Sequence, residues 1–241
     1  MLTVTSSRRT ATVAGVLYLV THVTSIAALA LYGPVLNHAD YVLGGGPDTR
    51  ILVGALLEVV LAMAVIGTAV TLFPVVKRQN EGVALGYAGL RTLEASIIVV
   101  GIVSLLAVVT LRQHPGAQAD HASLMTASQA LVAVHDWTFL FGPDLVLGTN
   151  TVLLAYLLYR SRLVPRFIPV LGLIGGPLVF LAAIGVLFGL YTQVSAPAAG
   201  SAVPVFAWEL SLAFWLIIKG FRPTSAGATG PAGVGTVPSA V

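Results

Sequence analysis

The stretch Gln79-Asn80-Glu81-Gly82, running into an apolar segment at residues 83–111, decides how the chain must be read. A polar cap opens a helix long enough to cross a bilayer, which takes about 20 residues. That helix carries Tyr87, Arg91 and Glu94 at i, i+4 and i+7, so all three share one face. A face of that kind in a segment otherwise fit only for lipid has to be turned inward, towards other helices or water. The rest of the chain must supply its surroundings.

Composition points the same way. Of the 241 residues, 57% are hydrophobic and 9% charged, against roughly 25% charged in soluble domains. The polar surface needed to cover a soluble protein of this size is missing, and mean hydropathy is +0.95. The class is an integral membrane protein. Cysteine is absent, which removes disulfides, thiolate metal sites and cysteine nucleophiles together. The net charge of +3 comes from short basic clusters between apolar runs. That is the pattern of membrane topology and argues against a nucleic-acid partner.

Outward from the third span, the chain divides into an all-α bundle of about six transmembrane helices. Residues 1–10 form a polar leader ending in Arg8-Arg9, and residues 11–32 are the first span. A cleaved signal peptide is the rival reading, with Ala28-Leu29-Ala30 as its cleavage site, but Thr21, His22, Thr24 and Ser25 interrupt its apolar centre. A turn-rich loop follows at 33–50, with Asp48 or Thr49 as a helix cap, and the second span occupies 51–76. Residues 121–135 read as an amphipathic helix at the outer interface, running into the fourth span at 136–159. The fifth span, 167–191, holds Gly175-Gly176-Pro177 and is expected to kink there. The sixth is 202–218. Residues 11–222 form a single domain, and 223–241, rich in Gly, Ala, Pro, Ser and Thr, reads as a disordered tail.

Basic residues set the orientation. With the amino terminus inside, nine of them (Arg8, Arg9, Lys77, Arg78, Arg160, Arg162, Arg166, Lys219, Arg222) fall on the inner side, and only Arg50 and Arg112 fall outside. Both termini are therefore expected to be cytoplasmic in a plasma-membrane protein.

The ionisable residues inside the spans are His22, Glu58, Arg91, Glu94, Asp144 and Glu209. Each costs on the order of 2.5–3.5 kcal/mol near the bilayer centre. Counting about 1.5 Å per residue puts Glu58, Asp144 and Glu209 some 10–12 Å below the outer surface on three different helices. His22 and Glu94 come out nearer the middle, with Arg91 a turn further in. Arg91 is the one permanent cation set against four acids. It can bond Glu94, and Glu58 or Glu209 from another helix, which leaves acids that must take a proton, face water or hold a cation. An outward-facing acidic pocket floored by Arg91 is the structural expectation. The bland alternatives stand beside it: a structural Arg91–Glu94 pair, an interhelical hydrogen bond for His22, and a cap on a broken helix for Asp144, which follows Gly142-Pro143. Asn150 reads as packing glue. Gly82/Gly86 and Gly185/Gly189 are small-residue pairs suited to close helix contact within the chain or in a homo-oligomer.

Motifs of known chemistry are missing. There is no HExxH helix, GxSxG elbow, phosphate loop or dinucleotide fingerprint. Asn37-His38-Ala39-Asp40 and His135-Asp136 are weak outer-side candidates for ligands or a base. No cofactor is named by any pattern, and no catalytic residue can be picked out.

The run Gln79-Asn80-Glu81-Gly82-Val83-Ala84-Leu85-Gly86-Tyr87, continuing to Arg91 and Leu93-Glu94-Ala95, resembles an uncharacterised bacterial membrane family, domain of unknown function 4386. Tyr159-Arg160-Ser161-Arg162-Leu163-Val164-Pro165, Leu171-Gly172-Leu173-Ile174-Gly175-Gly176-Pro177, Pro204-Val205-Phe206-Ala207-Trp208-Glu209 and residues 215–221 resemble it too. The resemblance spans roughly Arg9 to Arg222 and implies the membrane class, with no assigned activity. Three functional readings follow from the residues. One is a binding or transport protein for a small solute, proton or cation. The second is a structural or assembly protein whose charges hold helices together. The third is a membrane-embedded, metal-assisted hydrolase acting on lipid.

Overall fold

The computed structural model describes residues 4–116 and 119–223. The first three residues of the expected leader, and the expected disordered tail from 224 onwards, lie outside the described residues. Among those described there is no strand. The helices are α1 (Val4–Asn37), α2 (Thr49–Val76), α3 (Glu81–Gln113), α4 (His121–Phe139), α5 (Leu147–Ser161), α6 (Phe167–Leu187) and α7 (Ala196–Ile218). Six of the resulting helical segments are long and apolar enough to cross a membrane, α4 and α5 counting as one continuous segment, His121–Ser161.

Local chemistry sets several helix ends. Asn80 accepts the Val83 backbone N–H at 3.0 Å and starts α3, and Asp120 accepts that of Ser123 at 2.7 Å and starts α4. At the start of α2, Asp48 occupies the cap position but its side chain caps nothing; its carboxylate is used elsewhere. The first loop is shorter than the turn residues suggest, because α1 continues through Pro34 to Asn37. Residues 4–10 also join α1 rather than standing apart as a leader. Arg8 reaches the carbonyls at the end of α7, bonding Ile217 O at 2.7 Å and Ile218 O at 3.1 Å. A cation there meets the negative end of the helix dipole. The described ends of the chain thus lie at one end of the bundle.

α4 and α5 are joined by a π turn, Leu140–Val146, that contains Pro143. Proline has no N–H to give to the residue four before it, and the wider turn accommodates the loss without ending the helix. The helix is therefore continuous where Gly142-Pro143 suggests a break, and Asp144 caps nothing. α6 likewise runs unbroken through Pro177.

The spans pack in chain order as a ring, with α7 closing back on α1. Backbone approach sets three of the contacts, one of them between α6 and α7, where a methyl group on Gly175 would stand 2.7 Å from Val205 N. A methyl group on Gly15 would stand 2.6 Å from Ala213 O, so α1 and α7 touch backbone to backbone there. Gly148 and Gly176 do the same for α5 and α6, each meeting the other's carbonyl at 2.8 and 2.7 Å. The small-residue pairs singled out from sequence make no such crossing. The nearest atoms to Gly82 are those of Asn80, and Gly185 faces Tyr191 in the next loop.

Apolar side chains fill the ring at the end where the chain begins and finishes, around Tyr18, Leu72, Tyr87, Leu154, Trp208 and Leu216. A second cluster, including Tyr32, Ile51, Leu105 and Val108, packs α1, α2 and α3 near the opposite end. Between them the ring is hollow.

Candidate functional site

The hollow is a cavity of about 250 Å³ lined by α1, α2, α3, α4, the π turn, α5, α6 and α7. A single buried water needs only about 10–15 Å³, so there is room for several waters or a small organic molecule. His22, Glu58, Arg91, Glu94, Asp144 and Glu209 all line it. The six ionisable residues that the sequence scatters over five spans are brought to one space.

Arg91 forms its floor and is 2% exposed. Its Nη1 donates to both carboxylate oxygens of Glu94, at 3.2 and 3.0 Å. Glu94 also accepts from Asn150 Nδ2 at 2.7 Å, so its lone pairs are well used. The guanidinium lies 5.3 Å above the Tyr18 ring, a favourable placement for a cation. Its remaining donors, Nε and Nη2, are buried with no hydrogen-bond partner. Glu209 Oε1 stands 3.6 Å from Nη2, an ion pair but not a hydrogen bond. The other oxygen of Glu209 faces His22 Nε2 at 3.5 Å. His22 is tied through Nδ1 to Tyr18 O at 2.9 Å, which directs Nε2 across to α7.

Further along the cavity, Glu58 accepts from Tyr32 Oη at 2.9 Å rather than reaching Arg91. Asp144, carried by the π turn, accepts from Gln193 Nε2 at 3.0 Å, in the loop before α7. Glu58 and Asp144 thus each have their own neutral donor, apart from the Arg91 group. Among the described residues no group of three or more His, Asp or Glu side chains is arranged to hold a metal ion.

Several residues at the site are not evident from sequence. Tyr32, the last residue of the first expected span, is buried and holds Glu58. His135 reads as too shallow to reach a span interior, yet it is buried, lines the cavity and packs its ring 5.8 Å from that of Tyr32. The signal is available only in the spacing: His135 and Pro143 stand near the two ends of the lining face of one helix. Asn37, His38 and Asp40 do not line the cavity.

A second polar cluster lies at the end of the bundle nearest the first loop. Arg112, near the end of α3, bonds Asp48 and also donates to Gly44 O and Gly46 O, each at 3.0 Å. Gln113 Nε2 and Tyr41 Oη add bonds to Asp48 at 2.9 and 2.6 Å. Burial pushes the Asp48 carboxyl up, but the bonds from Tyr41, Gln113 and Arg112 and the charge of Arg112 outweigh it and hold the carboxyl below its usual value. The Tyr41 hydroxyl is pushed up to about 12, by burial first and then by its bond to Asp48. The cluster straps the first loop to α3.

The profile of a family described as "Domain of unknown function (DUF4386)" matches residues 13–220. An uncharacterised protein of Archaeoglobus fulgidus is 29% identical over 97 residues, covering 39% of this chain and 56% of the relative. The chain thus matches little more than half the length of that relative. No solved structure matches.

Proposed function

The chain belongs to this family of unknown function, and we propose from the site itself that it binds or carries a small solute or proton through the cavity. The observation that supports the reading is the convergence of His22, Glu58, Arg91, Glu94, Asp144 and Glu209, from five different spans, on one space of about 250 Å³. Ionisable groups in a bilayer are costly, and lining a cavity is a use that holding helices together does not require. With no metal-holding group among the described residues, a small organic solute or a proton is favoured over a tightly coordinated metal ion.

The cavity lies in the half of the bundle away from Arg8, Lys77, Arg78, Arg160 and Lys219. Under the positive-inside rule those residues are cytoplasmic. The protein is then a multi-pass plasma-membrane protein with both termini inside and its cavity towards the outside.

A scaffold role is the second reading, and the Arg91–Glu94–Asn150 network favours it, since those groups satisfy one another. The test is reconstitution into liposomes with an internal pH dye and a panel of small labelled solutes. Glu58→Gln, Asp144→Asn and Glu209→Gln are compared with the wild type, together with their melting temperatures. Carriage reduced in Glu209→Gln at unchanged melting temperature supports the cavity reading. Lowered melting temperatures with no solute or proton crossing in the wild type would leave the acids as helix contacts.

A further inference from the structure

We propose that the cavity's ligand is an uncharged, largely apolar molecule bearing a hydroxyl group, which enters from the lipid between α1 and α7. The inference rests on the binding reading above and names the class of solute.

The head group follows from Arg91 and Glu209. Two buried donors of Arg91, Nε and Nη2, have no partner, and leaving such groups unmet is costly. Nη2 and Glu209 Oε1 are 3.6 Å apart, too far to bond one another. A single oxygen can stand about 2.9 Å from both. To satisfy both it must accept from the guanidinium and donate to the carboxylate, and a hydroxyl does both where an ether, a carboxylate or an ammonium does only one. His22 Nε2 sits on the far side of Glu209 and completes the polar end of the cavity.

Charge points away from an ionic ligand. Arg91 is already matched by Glu94 at 3.0 Å and approached by Glu209. A second anion would face these carboxylates as well as Glu58 and Asp144. A cation would have to displace or face the buried guanidinium.

The route follows from how α1 and α7 diverge. They are joined through Arg8 and the α7 carbonyls, then touch backbone to backbone at Gly15 and Ala213. Further along, the His22 ring meets that of Phe206, with ring centroids 5.0 Å apart. Beyond it Ile26, Leu29 and Phe206 line the cavity yet are 60%, 51% and 46% exposed. Residues that line the interior and also face outward mark an opening. Its rim is apolar, and at this position in a spanning helix it faces lipid rather than water. An apolar tail lying between Ile26 and Phe206 would bring a hydroxyl to Arg91.

The test uses the full chain in lipid nanodiscs and a photoreactive hexadecanol, beside a fatty acid and a quaternary ammonium with the same photoreactive tail. The alcohol should label the α1 and α7 segments that line the cavity, be competed by unlabelled hexadecanol, and exceed both ionic probes by about tenfold. Ala202→Trp or Leu29→Trp, at exposed positions on the rim, should cut that labelling about fivefold, roughly 1 kcal/mol, with the melting temperature unchanged. Equal labelling by all three probes would mean ordinary lipid contact and overturn the proposal, as would labelling indifferent to both rim variants. If water alone fills the gap, hexadecanol neither labels nor competes. Carriage of a polar solute that still responds to Glu209→Gln would then leave the binding reading standing while this one falls.

Discussion

Asn150 donates to Glu94 across 2.7 Å and so fastens α5 to α3 behind the cavity wall. Both side chains are buried, and Glu94 also takes two bonds from Arg91. The amide therefore finishes the solvation of a carboxylate that has no access to bulk water. Asn150→Ala should lower stability by about 1–2 kcal/mol, and Asn150→Asp should lower it further by setting a second carboxylate against the first. Unfolding in mixed detergent micelles measures both.

Arg91 and Glu94 form a pair in which each partner makes the other tolerable. Removing one leaves an uncompensated buried charge, at a cost of about 3–5 kcal/mol. Arg91→Met and Glu94→Gln should each destabilise the fold, and the double variant should lose clearly less than the sum. A double-mutant cycle showing simple additivity would mean that the two groups do not support one another.

The loop cluster predicts an acid limb in the stability curve. Asp48 is held below its usual value in the folded protein, so its contribution is fully present above the unfolded value near 3.9. It is lost as pH falls through the lower folded value. Melting temperature followed from pH 6 downwards should therefore fall more in the wild type than in Asp48→Asn, which should begin lower and change less. Proteolysis within residues 38–48 should quicken in the same variant.

Gly15 leaves no space for a side chain, since a methyl there would stand 2.6 Å from Ala213 O. Gly15→Val should force α1 and α7 apart and cost about 1–3 kcal/mol. Gly89, which has nothing within 4 Å of such a methyl, should accept Gly89→Ala with little loss. The pair of melting curves separates close packing from helix propensity.

The number of spans was readable because hydrophobic length and basic flanks are local properties. Arg91, Glu94 and Glu209 were readable as interior groups because lipid tolerates nothing else. Partner choice was harder. Glu58 bonds Tyr32 rather than Arg91, and Asp144 bonds Gln193, because those contacts depend on the rotation of each helix and on the path of a loop. Periodicity within one segment does not report either. The glycines tell the same story. Gly15, Gly148, Gly175 and Gly176 make the close backbone crossings, while the spaced pair Gly82 and Gly86, more regular on paper, does not.

The π turn at Leu140–Val146 has a consequence for helical phase. An unbroken α-helix advances about 100° per residue, so Leu147 would be turned well away from the direction of His135. The surplus residue of the wider turn takes back about one such step, and His135, Phe139, Pro143 and Leu147 all line the same cavity. Pro143, the one residue there with no N–H to give, thus acts as a phase corrector. Excising a single residue from this turn would restore a regular helix and swing Leu147 and everything after it about 100° out of register with the rest of the ring.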